Sequence, residues 1–230
     1  MPPSPLSSYH SIFPVKLNLR VNDIEGTLPD FLYAMTSLSI LNLQSNRFNG
    51  TVSSKVSNMP DLRELYLGLN FLSGTITSEL EGLRNLRVLD LSGNRLAGDF
   101  HAVISDLTHL IYIFLENNGF TGQLNGTLMA TFDQLAELSI DANKITGTIP
   151  SELGSLNSLS NLFLSTNALT GTIPSALASA LSLEYLSLDG NELSGRVPTE
   201  LCGLSSLKEL LVDCDFLCSC EECIKLCAGA

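Results

Sequence analysis

Apolar and polar residues alternate in short runs that return at a regular interval along most of the chain. In LRVLDLSGNRLAG (86–98), Leu89 and Leu91 alternate with polar neighbours, which is the period of a strand with one buried face. The pattern predicts one short strand per repeat. Its leucines point inward, and Val88, Asp90 and Ser92 point outward.

The interval is set by an asparagine and a glycine. An Asn recurs eight times at spacings of 24, 24, 24, 24, 25, 24 and 24 residues, and a Gly follows each one after four residues. Eight of the 17 glycines therefore share one phase, which chance does not produce. The asparagines of this predicted ladder are Asn22, Asn46, Asn70, Asn94, Asn118, Asn143, Asn167 and Asn191.

The consensus LxxLxLxxNxLxGxIP resembles the leucine-rich repeat, in the plant-type variety of about 24 residues. GTLP (26–29), GTIP (147–150 and 171–174) and GRVP (195–198) carry the second half of that motif. The resemblance implies an α/β solenoid, a right-handed superhelix with a parallel concave β-sheet and short 3₁₀ or helical turns on the convex side. About nine coils are expected over residues 14–216.

The ladder asparagine has a predicted structural role. A carboxamide donates and accepts, so it is expected to turn inward and bond the coils on either side. In the ninth coil Asp215 takes its place, which suits a last coil with no following neighbour. One extra residue between Gly122 and Leu135 predicts a convex bulge within residues 123–134.

The two ends differ from the repeats. Residues 1–13 form a poorly capped N-terminal segment, and Pro14 stands where the first coil should have a leucine. Because a solenoid exposes its core at an uncovered end, we expect further repeats before Met1. Residues 217–230 are expected to form a cysteine-rich C-terminal cap.

Composition excludes several function classes. The net charge of −12 argues against nucleic acid, which needs a basic surface. Residues 1–115 carry 8 Lys/Arg against 10 Asp/Glu, and residues 116–230 carry 4 against 14, so the second half is the acidic one. No stretch approaches the roughly 20 apolar residues that span a bilayer, so no membrane insertion is expected within this chain.

Catalytic signals are missing from the sequence. No Ser-His-Asp order falls on strand ends, no phosphate-binding glycine loop occurs, and the glycines belong to the repeat or to turns. We expect no enzyme activity, no cofactor and no catalytic residues.

The cysteines favour disulfides. An even set of six and a single C-x-x-C suit a covalently closed end, although zinc bound by thiolates and a redox centre stay alternatives. The tail also resembles the C-terminal ends of algal leucine-rich repeat proteins, and Cys202 would tether it to the eighth coil. The expected disulfide residues are Cys202, Cys214, Cys218, Cys220, Cys223 and Cys227, with no metal.

Two sequons, Asn49-Gly-Thr51 and Asn125-Gly-Thr127, are candidate glycosylation sites at loop or convex positions. They add slightly to the indication of an oxidising, extracellular or cell-surface location. The chain itself carries no recognisable signal sequence.

The outward strand positions form three columns on the concave sheet, with exposed aromatics edged by carboxylates. These aromatics could equally serve the sheet by pairing across strands. The candidate ligand-binding track is Tyr66, Tyr112, Phe114, Glu116, Asp141, Phe163, Tyr185 and Asp189.

Together these features predict a non-catalytic recognition module that binds a protein, peptide or glycan on its concave face. It would come from a secreted protein or a receptor ectodomain. A structural or adhesive extracellular protein is one alternative, and an intracellular leucine-rich repeat scaffold is another.

Overall fold

The computed structural model describes residues 15–76 and 79–213. Nine parallel strands pair in sequence order to form one sheet, and each strand defines one coil of a solenoid. We number the coils 1 to 9 and call the solvent side of this sheet the concave face. The strands are Lys16–Asn18, Ile40–Asn42, Glu64–Tyr66, Val88–Asp90, Tyr112–Phe114, Glu137–Ser139, Asn161–Phe163, Tyr185–Ser187 and Glu209–Leu211.

A second strand follows the ladder asparagine in coils 1 to 8. These strands form a five-stranded and a three-stranded parallel sheet. The five are Glu25–Thr27, Arg47–Gly50, Phe71–Thr75, Arg95–Asp99 and Gly119–Thr121, and the three are Thr146–Thr148, Ala168–Gly171 and Glu192–Leu193.

The break between these two sheets falls in the coil that has 25 residues. Only an isolated bridge between Gln123 and Thr146 links them. The convex segment that follows contains the α-helical turn Gly126–Met129, inside the range where a bulge was expected. The extra residue is thus accommodated on the convex side, and the concave register continues across it.

Short helical turns complete the coils, and each begins at a residue suited to a cap. Where the motif has its proline, Pro29, Pro150, Pro174 and Pro198 precede the turn with extended backbone. Where proline is missing, Ser53, Asp99 and Asn125 accept a backbone N–H of the first turn instead. The turns are 3₁₀ at Asp30–Ala34, Ser54–Asn58, Ser151–Ser155 and Ser175–Ser179, and α-helical at Phe100–Ile104, Gly126–Met129 and Thr199–Cys202.

The core is a column of aliphatic side chains inside the coils. Leu86, Leu89, Leu91 and Leu96 of coil 4 are at most 1% exposed, and the equivalent side chains of coils 2 to 7 are buried too. In coil 1, Leu17 and Leu19 are only partly buried. Every coil covers the apolar layer of its neighbours, so burial continues along the chain without a central globule.

The ladder asparagines bind each coil to the one before it. Asn46 Oδ1 accepts the Ile24 N–H at 3.1 Å, and Asn46 Nδ2 donates to the carbonyls of Leu19 at 2.9 Å and Leu43 at 3.0 Å. The same pattern of bonds recurs at Asn70, Asn94, Asn118, Asn143, Asn167 and Asn191.

The expectation that these carboxamides bond both neighbouring coils is wrong. Their bonds within the described residues run to the preceding coil and to their own. Among the described residues, the Asn22 side chain accordingly donates only to Leu19 and Arg20 of its own coil, and it is exposed. A missing following coil therefore does not explain Asp215, which lies outside the described residues, as do the segments 1–13 and 217–230.

Candidate functional site: the concave face

The register of the nine strands places equivalent residues in columns across the concave face. One column begins with Lys16, Ile40 and Glu64, and the next begins with Asn18 and Asn42. Tyr112 lies in the first column, and Phe114 lies in the second. These columns match the ones that the repeat spacing predicts, because each strand residue pairs with the equivalent residue of the next coil, from coil 1 to coil 9.

Tyr112 and Phe114 form a stacked pair on this face. Their ring centroids are 6.3 Å apart, and the ring planes differ by 11°. Tyr112 is 40% exposed although it lies in the middle of the sheet. The pair offers a rigid apolar surface to solvent, since both rings stand on one paired strand.

The other predicted aromatics do not extend this stack. Tyr66 is half-buried and its hydroxyl donates to Glu64 at 3.1 Å. Phe163 lies two strands from Phe114, beyond the strand of Ser139. Within the described residues, Tyr112 and Phe114 are the only stacked rings, so the predicted track is discontinuous.

Tyr185 has a different neighbour. The Lys208 ammonium lies 5.6 Å from the centre of its ring and also pairs with Glu184. This aromatic side chain already has a cation of the same chain over its face, unlike the Tyr112–Phe114 pair.

Asp90 is the most buried carboxylate of the face, at 3% exposure, although the pattern predicted an outward position. Its Oδ1 accepts from the backbone N–H of Ser92 at 3.0 Å and from the Ser92 hydroxyl at 2.6 Å, and its Oδ2 accepts from Gln44 Nε2 at 2.9 Å. Gly68 leaves the space that the carboxylate fills. Asp90 and Ser92 lie on the outward face of the sheet, as predicted, but neighbouring polar side chains cover them there.

Glu116 and Asp141 continue the row of carboxylates over coils 5 and 6. Asp141 accepts from the Ser165 N–H at 2.6 Å and from the Ser139 hydroxyl at 3.2 Å. Glu116 Oε2 is buried and has no hydrogen-bond partner. We call Asp90, Glu116 and Asp141 the acidic row.

Toward coil 8 the polar network closes on itself. The hydroxyls of Ser165 and Ser187 lie within hydrogen-bond distance of each other and of Asp189 Oδ1, which is 2.6 Å from Ser165 and 3.0 Å from Ser187. Each hydroxyl has one proton, so two of these three hydrogen bonds form at a time. Asp213 accepts the N–H groups of Gly190 at 2.9 Å and Asn191 at 3.4 Å. Of the predicted carboxylates, Asp189 Oδ1 thus accepts from at least one serine hydroxyl, whereas Glu116 Oε2 accepts no hydrogen bond.

Burial controls the protonation of the acidic row. Removal from water raises the pKa of Asp90, Glu116 and Asp141 above their ordinary values, and serine and backbone hydrogen bonds oppose the increase. The charges of Asp90 and Asp141 raise the pKa of Glu116 further. Burial, followed by the charge of Glu64, raises the pKa of Tyr66 to about 12.

The acidic row has no ion pair with a basic side chain within residues 15–76 and 79–213. The three salt bridges found there, Arg47–Asp23, Lys55–Asp30 and Lys208–Glu184, lie elsewhere. The Arg20 charge lowers the pKa of Asp90, but less than burial raises it. The described residues also contain no cluster of metal ligands and no helix long and apolar enough to cross a membrane.

The modification candidates fall on the surface where they can be described. Asn49 is exposed on a strand of the second sheet, and exposed Asn125 caps a convex turn. Cys202 ends the turn Thr199–Cys202 and packs on the core. The other five cysteines lie outside the described residues.

Sequence reasoning missed an apolar edge beside the N-terminal coils. Val21 is 67% exposed, Leu69 is 55% exposed, and Phe71 is 47% exposed with the Arg95 guanidinium 5.4 Å from its ring centre. Val21 and Leu69 have φ of 58° and 55°, a region that costs non-glycine residues roughly 1–2 kcal/mol. Large apolar residues at the position before the ladder asparagine were the available signal.

The stacked coils, the parallel sheet and the asparagine ladder together define a solenoid repeat protein. A family model described as leucine rich repeat matches residues 36–96 and 133–193, more than half of the chain. The chain belongs to the leucine-rich repeat family. A comparison with curated protein sequences found no match.

Solved structures of plant receptors share the fold. A TDR receptor structure matches at 35% identity and a TM-score of 0.76, over 83% of this chain and 33% of that one. The plant peptide hormone receptor RGFR1, in complex with RGF2, matches at 33% and 0.75, over 84% and 30%. The Arabidopsis receptor kinase HAESA ectodomain, in complex with an N-terminally extended IDA peptide hormone, matches at 32% and 0.78, over 86% and 32%. The chain spans about a third of each.

Proposed function

We propose that this chain is a non-catalytic recognition module that binds a protein, peptide or glycan on its concave face. The observation that carries the proposal is the stacked pair of exposed Tyr112 and half-buried Phe114, which lies at the centre of the sheet beside the acidic row. Exposed aromatics on a preorganised surface are the residues that dominate binding energy in interfaces. The similarity to receptors solved with peptide hormones supports the same class of function.

An extracellular or cell-surface location belongs to this proposal. The receptor HAESA matched here is represented by its ectodomain. The exposure of both sequon asparagines is compatible with glycans at Asn49 and Asn125. Three disulfides among the six cysteines, with Cys202 as the tether of the C-terminal cap, complete the proposal.

Alanine variants test the concave face. The immobilised chain would capture partners from the extract of the native tissue, with quantification by mass spectrometry. We expect Phe114→Ala and Phe163→Ala to reduce specific partners at least tenfold. Phe31→Ala is the matched control, because Phe31 is 62% exposed in the convex turn Asp30–Ala34.

Equal capture by wild type, Phe114→Ala and Phe163→Ala contradicts binding on the concave face. A structural or adhesive role, in which the array is a spacer, then becomes the better explanation. Circular dichroism of each variant establishes that the loss of a partner is not a loss of folding.

A further inference from the structure

The concave face carries positive charge in its first coil and negative charge at its centre. Lys16 and Arg20 lie in coil 1, and the acidic row, Asp90, Glu116 and Asp141, lies across coils 4 to 6. No basic side chain of the described residues pairs with the acidic row. The central part of the sheet therefore carries negative charge without a paired cation, and a ligand reaches this charge at the partly exposed Glu116 and Asp141, because Asp90 is covered.

Glu116 is the member of the row that is least well satisfied. Its Oε2 is buried and lacks a hydrogen-bond donor, whereas Asp90 and Asp141 accept two or more bonds each. An unpaired buried oxygen costs free energy that a donor from a ligand would recover. A cationic donor suits it best, since Asp90 and Asp141 add negative charge from either side.

An apolar surface lies beside the Glu116 carboxylate, on the strand Tyr112–Phe114 that precedes it. Glu116 follows Phe114 by two residues, and Phe114 stacks on Tyr112. The alkyl stem of lysine or arginine, or an adjacent apolar side chain, would pack on these rings while the charged group reaches the acidic row.

We propose that the concave face takes an extended peptide segment in which an arginine or lysine stands next to a large apolar residue. The cation sits on Glu116 and Asp141, with the covered Asp90 adding negative charge beside them, and the apolar side chain sits on the Tyr112–Phe114 pair. This inference rests on the proposed function and narrows its ligand to one chemistry. A peptide fits better than a neutral glycan, because only a cation compensates the charge of the acidic row.

An array of immobilised decapeptides tests the inference with the complete 230-residue chain as the probe. We expect bound peptides to be enriched in arginine or lysine beside an aromatic or aliphatic residue. In each bound arginine peptide, citrulline replaces arginine with a neutral group of similar shape, and we expect binding to fall at least tenfold. This arm leaves the protein unchanged, so it does not depend on the folding of a variant.

The matching protein variant is Glu116→Gln, with exposed Glu81→Gln as control. We expect Glu116→Gln to weaken arginine peptides at least tenfold and to remove most of their preference over citrulline peptides. Glu81→Gln should bind like wild type. If citrulline peptides bind wild type as well as arginine peptides do, the cation site is wrong.

The remaining outcomes separate this inference from the proposed function. Bound peptides without basic residues, or binding only on a glycan array, overturn the inference. The proposed function survives in either case if Phe114→Ala abolishes that binding. A dimer of the chain that Phe114→Ala dissociates overturns the peptide inference in favour of a second copy. An absence of any bound peptide overturns the inference, and the proposed function falls with it if wild type and Phe114→Ala also capture the same partners from the native extract.

Discussion

The Asp90 carboxylate lies against the backbone of Gly68, so closely that a methyl group at position 68 would stand 2.4 Å from Asp90 Oδ1. The same methyl group would be 2.7 Å from the Ser92 hydroxyl. The acidic row therefore begins in coil 4, where the Asp90 carboxylate fills the space that Gly68 of coil 3 leaves.

Gly68→Ala should displace Asp90 and weaken its bonds to Gln44 and Ser92. We expect the free energy of unfolding to fall by about 1–3 kcal/mol, the usual cost of overpacking. Urea denaturation measures it. The double variant with Asp90→Ala should recover most of the loss. Gly203→Ala is the control, because the nearest atom there lies 3.5 Å away, and it should change stability little.

The ladder gives a second prediction, from the contrast between Asn70 and Asn22. Asn70 is 6% exposed, accepts the Phe48 N–H and donates to the carbonyl of Leu43 in the preceding coil. Asn70→Ala leaves these groups unpaired, and we expect a loss of at least about 2 kcal/mol. Asn22→Ala should cost about 1 kcal/mol or less. Equal costs in denaturant titrations would contradict the one-directional ladder.

Stability should rise as the solution is made mildly acidic. The folded state holds the pKa of Asp90, Glu116, Glu137 and Asp141 above the ordinary values, so it binds protons more tightly than the unfolded chain does. Between the unfolded and folded pKa values, stability therefore falls as pH rises. We expect a higher melting temperature at pH 5 than at pH 7.

Carboxamide variants locate that pH dependence. Glu116→Gln removes one group whose pKa is raised, so it should flatten the change in melting temperature between pH 7 and pH 5. Exposed Glu81→Gln should leave the wild-type slope. A melting temperature that falls steadily from pH 7 to pH 5 would show that other titrating groups dominate.

The cysteines give a prediction that the intact mass can decide. Three disulfides remove six hydrogens, so the chain purified without reductant should be about 6 Da lighter than after reduction. Cys202→Ser should leave one free thiol in the tail if Cys202 is the tether. A retained zinc ion with six reactive thiols after denaturation would contradict the disulfides.

The sequence by itself determined the solenoid. The 24-residue phase of asparagine and glycine specifies one strand and one turn per coil, and the alternation around Leu89 and Leu91 specifies which face is buried. It also specified the columns of the concave face, since every coil pairs with its neighbour one residue to one. These features are local and repeated, so a period of 24 residues is enough to predict them.

Tertiary structure alone decided how the columns interact. The sequence predicted that Asp90 points outward, but it did not predict that neighbouring coils cover it there, because Gly68 makes room and Gln44 reaches over from two coils away. It predicted an aromatic track along the sheet, and within the described residues only Tyr112 and Phe114 stack. It also predicted that the ladder bonds the coils on both sides, whereas the side-chain bonds run to the preceding coil. Each of these depends on distances between side chains of different coils, which the period does not encode.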